Sequence, residues 1–251
     1  MVGLFLASLS TPALCDGVLV SATPPPGAGS SILSSGDAVL AAASAVGIAA
    51  SSFGDRWAWR ESQGGEGAEK GIARLAEHLG NPLVVGPALL ASYATGRLTG
   101  LPGLSASSAR VAGAIAGAGL LDLGLKVCVG RARPARGTCD PDDFQPFVRI
   151  NGAFPSGHTT VAFAAAAAIQ SETRARWVPW VVYPAASAVG WSRIRENEHW
   201  LSDVVAGAAL GYWSGRTIDR IERSRFRIFD RASFLVNGSR RSFRVGFRAH
   251  F

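Results

Sequence analysis

Apolar positions in this chain come in long uncharged stretches broken by glycine and proline, with few of the two-residue alternations that mark strands. An alanine-rich stretch predicts a helix over 34–52. Residues 66–79 read as an amphipathic helix, with Ile72, Leu75 and Leu79 on one face, charges opposite, and Gly80 as the stop. Apolar helices follow over 83–98 and 106–128, the second rich in small residues. Pro134, Pro141 and Pro146, with neighbouring glycines and aspartates, predict a long loop over 134–154. Helical patterning returns over 157–171, 178–193 and 199–222. The pattern shows no internal repeat. It predicts an all-α, single-domain helical bundle of about six core helices over 31–222, followed by a short irregular or hairpin-like C-terminal tail over 223–251.

The same pattern leaves the solvent open. Two long uncharged runs, 38–54 and 79–96, hold 17 and 18 residues. A spanning helix wants about 20 predominantly apolar residues. These runs lean on Ala, Gly and Ser, which suits a compact soluble bundle or a membrane bundle with small residues at its helix interfaces. The start, MVGLFLASLSTPALCDG, resembles the apolar part of an export signal with a small-residue site near Ala13 to Cys15, although it lacks a positively charged beginning. The alternative is an ordinary buried segment. TPPPGAGSS (23–31) reads as a linker, so 1–30 is assigned as leader and linker.

Charge changes the picture at one place. The formal net charge is +7, and residues 220–251 carry all of it, with nine arginines against Glu222 and Asp230. Such a tail suits an anionic membrane surface or is a solvated end. It holds no recognisable nucleic-acid-binding motif, so no nucleic-acid partner is expected. SFLVNGSRRSFRVGFRAHF alternates in part and holds an Asn-Gly turn signal, which would make a short hairpin. Cys128 and Cys139 flank GRARPARGT; in an exported protein they are expected to pair, and otherwise they are two unrelated thiols.

Candidate chemistry sits in three short segments. In KVCVGRARP (126–134), Lys126 and Arg133 are seven apart, about two helical turns, so both can share a face near the helix end. Arg131 adds a third cation nearby, and among positions three or four away from Lys126 only Asp122 is acidic. Taken alone, this is an ordinary solvated basic face. In FPSGHTT (154–160), Ser156 is suited to cap a helix whose unpaired N–H groups attract anions. Gly157 allows close approach of a ligand, and His158 would stand beside any bound anion. Taken alone, that histidine is a structural cap. In SRIRENEHWLSD (192–203), His199 and Asp203 are four apart on one helix face, so the carboxylate can hold one ring nitrogen and leave the other as a nucleophile. Arg193 is a two-pronged donor for phosphate oxygens. Taken alone, the pair is a salt link. Asp140, Asp142 and Asp143 form a DPDD turn that reads as a solvated loop, and no metal site is assigned. Trp177, Trp180, Trp191 and Trp200 suggest an apolar rim near the third segment, or core.

Read together, Lys-x6-Arg-Pro, Pro-Ser-Gly-His and Ser-Arg-x5-His-x3-Asp resemble the signature of the type-2 phosphatidic acid phosphatase superfamily, which includes the bacterial class A acid phosphatases and the vanadium haloperoxidases. Every position is filled. The resemblance implies that Lys126, Arg133 and Arg193 bind the non-bridging phosphate oxygens, helped by Ser156 and the Gly157 N–H. It implies that His199 attacks phosphorus to form a phosphohistidine, Asp203 fixes its tautomer, and His158 protonates the leaving alcohol and then activates water. Phosphoryl transfer rests on positioning and charge stabilisation, which cations supply without a metal; no cofactor is implied. The expected activity is therefore a metal-independent phosphatase acting on phosphomonoesters or diphosphates. Its partner would be a phosphorylated lipid or a small organic phosphate, met in the periplasm or at a membrane with the active site outside the cytoplasm. A vanadate-dependent haloperoxidase and a silent, membrane-binding surface protein are the alternatives; the chain's small size favours the phosphatase.

Overall fold

The computed structural model describes residues 35–64, 68–136, 139–173, 175–230, 232–239 and 242–249; the expected leader and linker at 1–30 lie outside them. The described residues form eight α-helices and one two-stranded hairpin, as the all-α reading expects. The helices are α1 (Ser35–Ser52), α2 (Asp55–Ser62), α3 (Ala68–Gly80), α4 (Pro82–Leu98), α5 (Pro102–Val129), α6 (Gly157–Glu172), α7 (Pro179–Arg195) and α8 (Leu201–Asp230). α1 to α7, and α8 as far as Asp219, belong to a body spanning Leu33–Asp219, and a second unit takes in the chain from Arg220 onward. α2, DRWAWRES, is the helix that the pattern does not predict. Eight residues are too few to show a period, and its first residue, Asp55, is fully buried by partners far away in sequence.

Local signals set the helix ends. Asn81 caps α4, its side chain accepting from the Leu83 N–H at 2.9 Å, and proline follows at the first helical position. α5 starts at Pro102 and stops at Gly130, which adopts a left-handed φ of 57°. A Cβ on Gly130 would fall 2.0 Å from the Gln145 carbonyl oxygen, so only glycine fits this exit. The chain then turns sharply after Lys126, and the expected loop begins.

The core is built from small residues. Ala162, Ala166, Ala186 and Val189 form one buried cluster, and Val111, Ala114 and Ala168 another. α8 carries Gly207, Gly211 and Gly215, four apart, all buried against α6. Cβ atoms there would meet Ser156 O at 2.6 Å, Thr160 O at 2.3 Å and Ala167 Cβ at 2.6 Å. The two backbones touch along a glycine stripe of the small-xxx-small kind.

Larger apolar side chains face outward, the apolar face of α3 among them. Ile72, Leu75 and Leu79 are 58%, 69% and 55% exposed, while Ala73 and Ala76 are buried. The helix is amphipathic as expected, but its narrow alanine edge packs inward because α6 and α7 approach too closely for leucine. Leu83, Leu98, Leu120 and Trp180 are also exposed. α5 is long and apolar enough to cross a membrane, and α1 with α2 passes the same test as a pair bent by 63°.

Two further expectations are corrected. The hairpin pairs β1 (Ala232–Ser239) with β2 (Ser242–Ala249), but Asn237 and Gly238 lie inside β1, opposite Arg244 and Phe243. In this register the backbone ladder runs on past Asn237 and Gly238 to Ser239 opposite Ser242, so the turn falls after Ser239. Cys128 and Cys139 are both free and exposed. Cys128 lies on the outer surface of α5, whereas the Cys139 thiol is turned to the Pro134 carbonyl at 3.7 Å.

The glycine stripe generates a contrast. Gly211→Ala forces a Cβ onto the Thr160 carbonyl and should lower the thermal midpoint steeply, through a loss of stability of at least the ~1–3 kcal/mol typical of overpacking. Gly86→Ala in α4, where nothing lies within 4 Å of the added carbon, should leave the midpoint equal or raised, through a gain in stability of up to ~1 kcal/mol. Equal losses in thermal melts of the two variants would contradict the close α6–α8 contact.

Candidate active site

Three segments that lie far apart in sequence meet at one end of the body. The Lys126 ammonium, near the end of α5, donates to the Pro155 carbonyl just before α6 and pairs with Asp122 one turn earlier at 3.3 Å. The Ser156 N–H donates to the Asp203 carbonyl at 3.0 Å. Arg133 pairs with Glu198 and donates to Asn151 at 3.0 Å. These contacts, and the charge interactions of His158 with Arg193, His199 and Arg133 and of His199 with Asp203, Lys126 and Arg133, bring side chains of the three segments into one neighbourhood.

α6 brings its first turn to the pocket through close backbone packing. α3 ends against it: a Cβ on Gly80 would lie 2.4 Å from Val189 Cγ1 and 2.7 Å from the His158 carbonyl oxygen. Gly157 faces Asp122, whose Oδ2 would be 3.2 Å from an added Cβ. Ser156 is the N-cap residue by position, but its hydroxyl makes no capping bond to the helix. It accepts instead from the Thr159 hydroxyl at 2.9 Å. The first-turn amides of α6 thus receive no side-chain oxygen from their own cap, which suits an anion.

His199 is buried, and its orientation differs from the expected one. Nδ1 lies 2.7 Å from the Ala153 carbonyl, so that ring nitrogen carries the proton and donates. The Asp203 carboxylate is 3.8 Å from the same nitrogen, beyond hydrogen-bond reach, and acts on the ring by charge. A backbone carbonyl sets the tautomer, and Nε2 is left with its lone pair for a ligand. Ala153 leaves no signal in the sequence, because any residue offers a carbonyl.

The guanidinium groups are partly committed. Arg193 Nη1 lies 3.0 Å from Glu77 on α3 and 2.5 Å from Glu196. Nε of Arg133 and Nε of Arg193 are buried without a hydrogen-bond partner. A buried unpaired donor is costly, and an oxyanion between these arginines would satisfy both. Glu77, Glu196 and Glu198 are site residues that sequence reasoning did not single out. The E-N-E run beside His199 was the available signal for two of them; Glu77, on another helix, gave none.

The charges shape both imidazoles. Burial, aided by the Arg193 and His199 neighbours, depresses His158 to about 4. Burial also lowers His199, with Asp203 opposing and Lys126 and Arg133 reinforcing the shift. Glu196 is raised, first by burial and then by Glu77 beside it, against the pull of Arg193. An empty pocket therefore holds neutral imidazoles, which is correct for a nucleophile but not for a proton donor. A bound phosphate dianion reverses the field at His158 and favours its protonated form.

Other expected features lie elsewhere. Arg131 does not join the pocket cations; it is buried on Asp55 and Asp203. Trp200 is fully buried and donates to the Ala132 carbonyl at 2.9 Å, so it is core. Trp191 is partly buried beneath Arg195. Trp177 and Trp180 are exposed but lie at the start of α7, about 20 Å by helical rise from Arg193 at its end. The four tryptophans therefore make no common rim. In the DPDD turn, Asp140 pairs with Arg56 and Asp143 with Arg149.

Comparison with known proteins gives three findings. The family model described as the PAP2 superfamily matches residues 108–226. A lipid A 1-phosphatase from Porphyromonas gingivalis is 45% identical over 76 residues, which is 27% of this chain and 17% of that relative. The chain thus spans about a sixth of the relative's length. Two solved structures share the fold. The transmembrane PAP2-type phosphatidylglycerolphosphate phosphatase from Bacillus subtilis aligns at a TM-score of 0.58 and 17% identity, over 74% of this chain and 96% of that one. Aquifex aeolicus LpxE aligns at 0.51 and 20%, over 65% and 93%.

Two predictions follow from the electrostatics. If His158 donates a proton in the rate-determining step, kcat/KM for an alkyl phosphate falls as pH rises above about 4, because the protonated fraction of the free protein is lost there. The corresponding fall in kcat comes at higher pH, because bound phosphate raises the group; coincident limbs would contradict this. Replacing the carboxylate held by Arg133, Glu198→Gln, should lower KM several-fold by freeing the guanidinium. A raised KM in steady-state assays would show that Glu198 orients Arg133 rather than competes for it.

Proposed function

The chain belongs to the PAP2 superfamily, and on that premise we propose that it is a metal-independent phosphatase acting on a phosphorylated lipid through a phosphohistidine on His199. One observation supports the reading: the buried Nε donors of Arg133 and Arg193 have no hydrogen-bond partner, and both guanidinium groups act by charge on His158.

In this reading Lys126, Arg133 and Arg193 hold the non-bridging oxygens, with Ser156 and the Gly157 N–H beside them. His199 Nε2 attacks phosphorus while the Ala153 carbonyl keeps the proton on Nδ1. The P–O bond to the alcohol breaks as His158 delivers its proton to the departing oxygen. Water, deprotonated by His158, then attacks the phosphohistidine and regenerates His199. The charge on the transferring group is met by preorganised cations throughout.

A lipid substrate is supported by the surface of the body. Exposed Leu, Ile and Trp on α3, α4, α5 and α7 suit a bilayer, with α5 crossing it. The pocket then lies at one face and Trp177 and Trp180 at the other, as an interfacial aromatic pair. The site would face outside the cytoplasm, as the family resemblance implies, and the arginine-rich tail by its own composition suits anionic headgroups.

A phosphate-release panel tests this. Purified protein in lipid micelles is given phosphatidate, a lipid diphosphate and a water-soluble monoester, with and without EDTA. Release from a lipid phosphate that survives EDTA, is inhibited by vanadate and disappears in His199→Ala is the expected result. Halide oxidation with vanadate and peroxide, without phosphate release, would replace the reading with a haloperoxidase.

A further inference from the structure

We infer that Asp55 is a positioning residue for the His199–Asp203 pair, acting through the buried guanidinium of Arg131. Asp55 lies on α2, outside the segment matched by the family model. The inference rests on the nucleophilic role proposed for His199.

Arg131 is 3% exposed and has four of its N–H donations assigned. Nε donates to the Pro141 carbonyl at 2.7 Å. Nη1 donates to the Ser202 hydroxyl at 2.6 Å and to Asp203 Oδ1 at 2.7 Å. Nη2 donates to Asp55 Oδ2 at 2.6 Å. The rings of Phe144 and Trp200 lie 5.4 and 5.8 Å from its central carbon. Asp55 also accepts from the Ser202 N–H and hydroxyl, both at 2.7 Å, and so holds the first turn of α8. Asp203 in turn accepts from the Trp200 N–H at 2.8 Å.

The charge count gives this cluster its function. Arg131 alone against Asp203 would make a neutral pair and cancel the carboxylate that His199 feels. With Asp55 included, two carboxylates share one guanidinium, and a net negative charge remains beside the imidazole. His199 needs it: when Nε2 bonds to phosphorus with Nδ1 still protonated, the ring becomes cationic. Lys126 and Arg133 face the same ring and oppose that charge, while Asp122 and Glu198 stand nearby as further acids. Asp55 thus lets a buried arginine hold Asp203 in place without silencing it.

The test is Asp55→Asn, which keeps the shape and removes the charge. Its kcat on the best lipid phosphate should fall about 10- to 100-fold, the usual range for groups that orient an active residue, with KM within about 3-fold. Glu172→Gln, which removes an arginine partner at the far end of α6, should leave both unchanged. The double variant Asp55→Asn with Arg131→Met restores the net charge of the cluster and should recover kcat relative to Asp55→Asn, although it deletes more bonds. A purely structural staple predicts the reverse: the double variant is worse, and loss follows the folded fraction read by thermal melting. That result, or an unchanged kcat in Asp55→Asn, would overturn the inference. Should Asp55→Asn fail to fold, the double variant, set against Arg131→Met alone, decides it: equal kcat would count against a charge role for Asp55. Imidazole nitrogen NMR of ¹⁵N-histidine protein reads His199 without turnover; in Asp55→Asn its ring should hold a proton less readily than in the parent. An unmoved titration would refute the charge relay even if no substrate is found, whereas failure of the phosphatase reading would appear as no phosphate release from the parent protein.

Discussion

Three cations crowd around two neutral imidazoles, and the repulsion among those cations is the constraint to which the rest of the body answers. In water such charges would interact weakly; in a confined site the effective dielectric falls and the repulsion grows several-fold. Each cation is therefore held by an acid: Lys126 by Asp122, Arg133 by Glu198, and Arg193 by Glu77 and Glu196. These acids come from α3, α5 and the turn before α8, so balancing the pocket ties the helices together. The balance is incomplete at the two unpartnered Nε donors, and an oxyanion would complete it. Behind the pocket, Asp55 and Arg131 apply the same accounting to Asp203.

Holding these groups in place requires helices that barely separate. The glycine stripe of α8 lets its backbone rest on α6, and Gly80 lets α3 end against the His158 carbonyl. Close packing of this kind leaves no room for leucine inside, so the large apolar side chains point outward. A bilayer makes that arrangement favourable, because lipid gives leucine no reason to be buried in protein while van der Waals contact between backbones still holds helices together. The small-residue core and the greasy exterior are two sides of one packing solution.

The kind of function was legible in the sequence to an unusual degree, because its residues are named by chemistry and spacing. Lys126 and Arg133, Ser156 to His158, and Arg193 to Asp203 stand in an order that few other folds would need, and the fold brings the three segments into contact. The all-α class was legible too, since long apolar stretches without alternation exclude most sheets. α2 was not, being too short to show a period. Nor was the outward turn of Ile72, Leu75 and Leu79, because a helical stripe tells that a face is apolar and not what it meets.

By itself, then, the sequence determined that the chain folds as helices and which side chains are the candidates for the chemistry, since both depend on residue type and local spacing. Tertiary structure alone decided how those side chains are poised. The Ala153 carbonyl, not Asp203, accepts the hydrogen bond from His199 Nδ1; Arg131 turns to Asp55 and Asp203; Glu77 arrives from a distant helix; and Cys128 and Cys139 are both free. Each of these depends on which backbone or charge happens to be nearest in space. No residue name records that, because carbonyls are the same everywhere and a charge acts over distance regardless of its position along the chain.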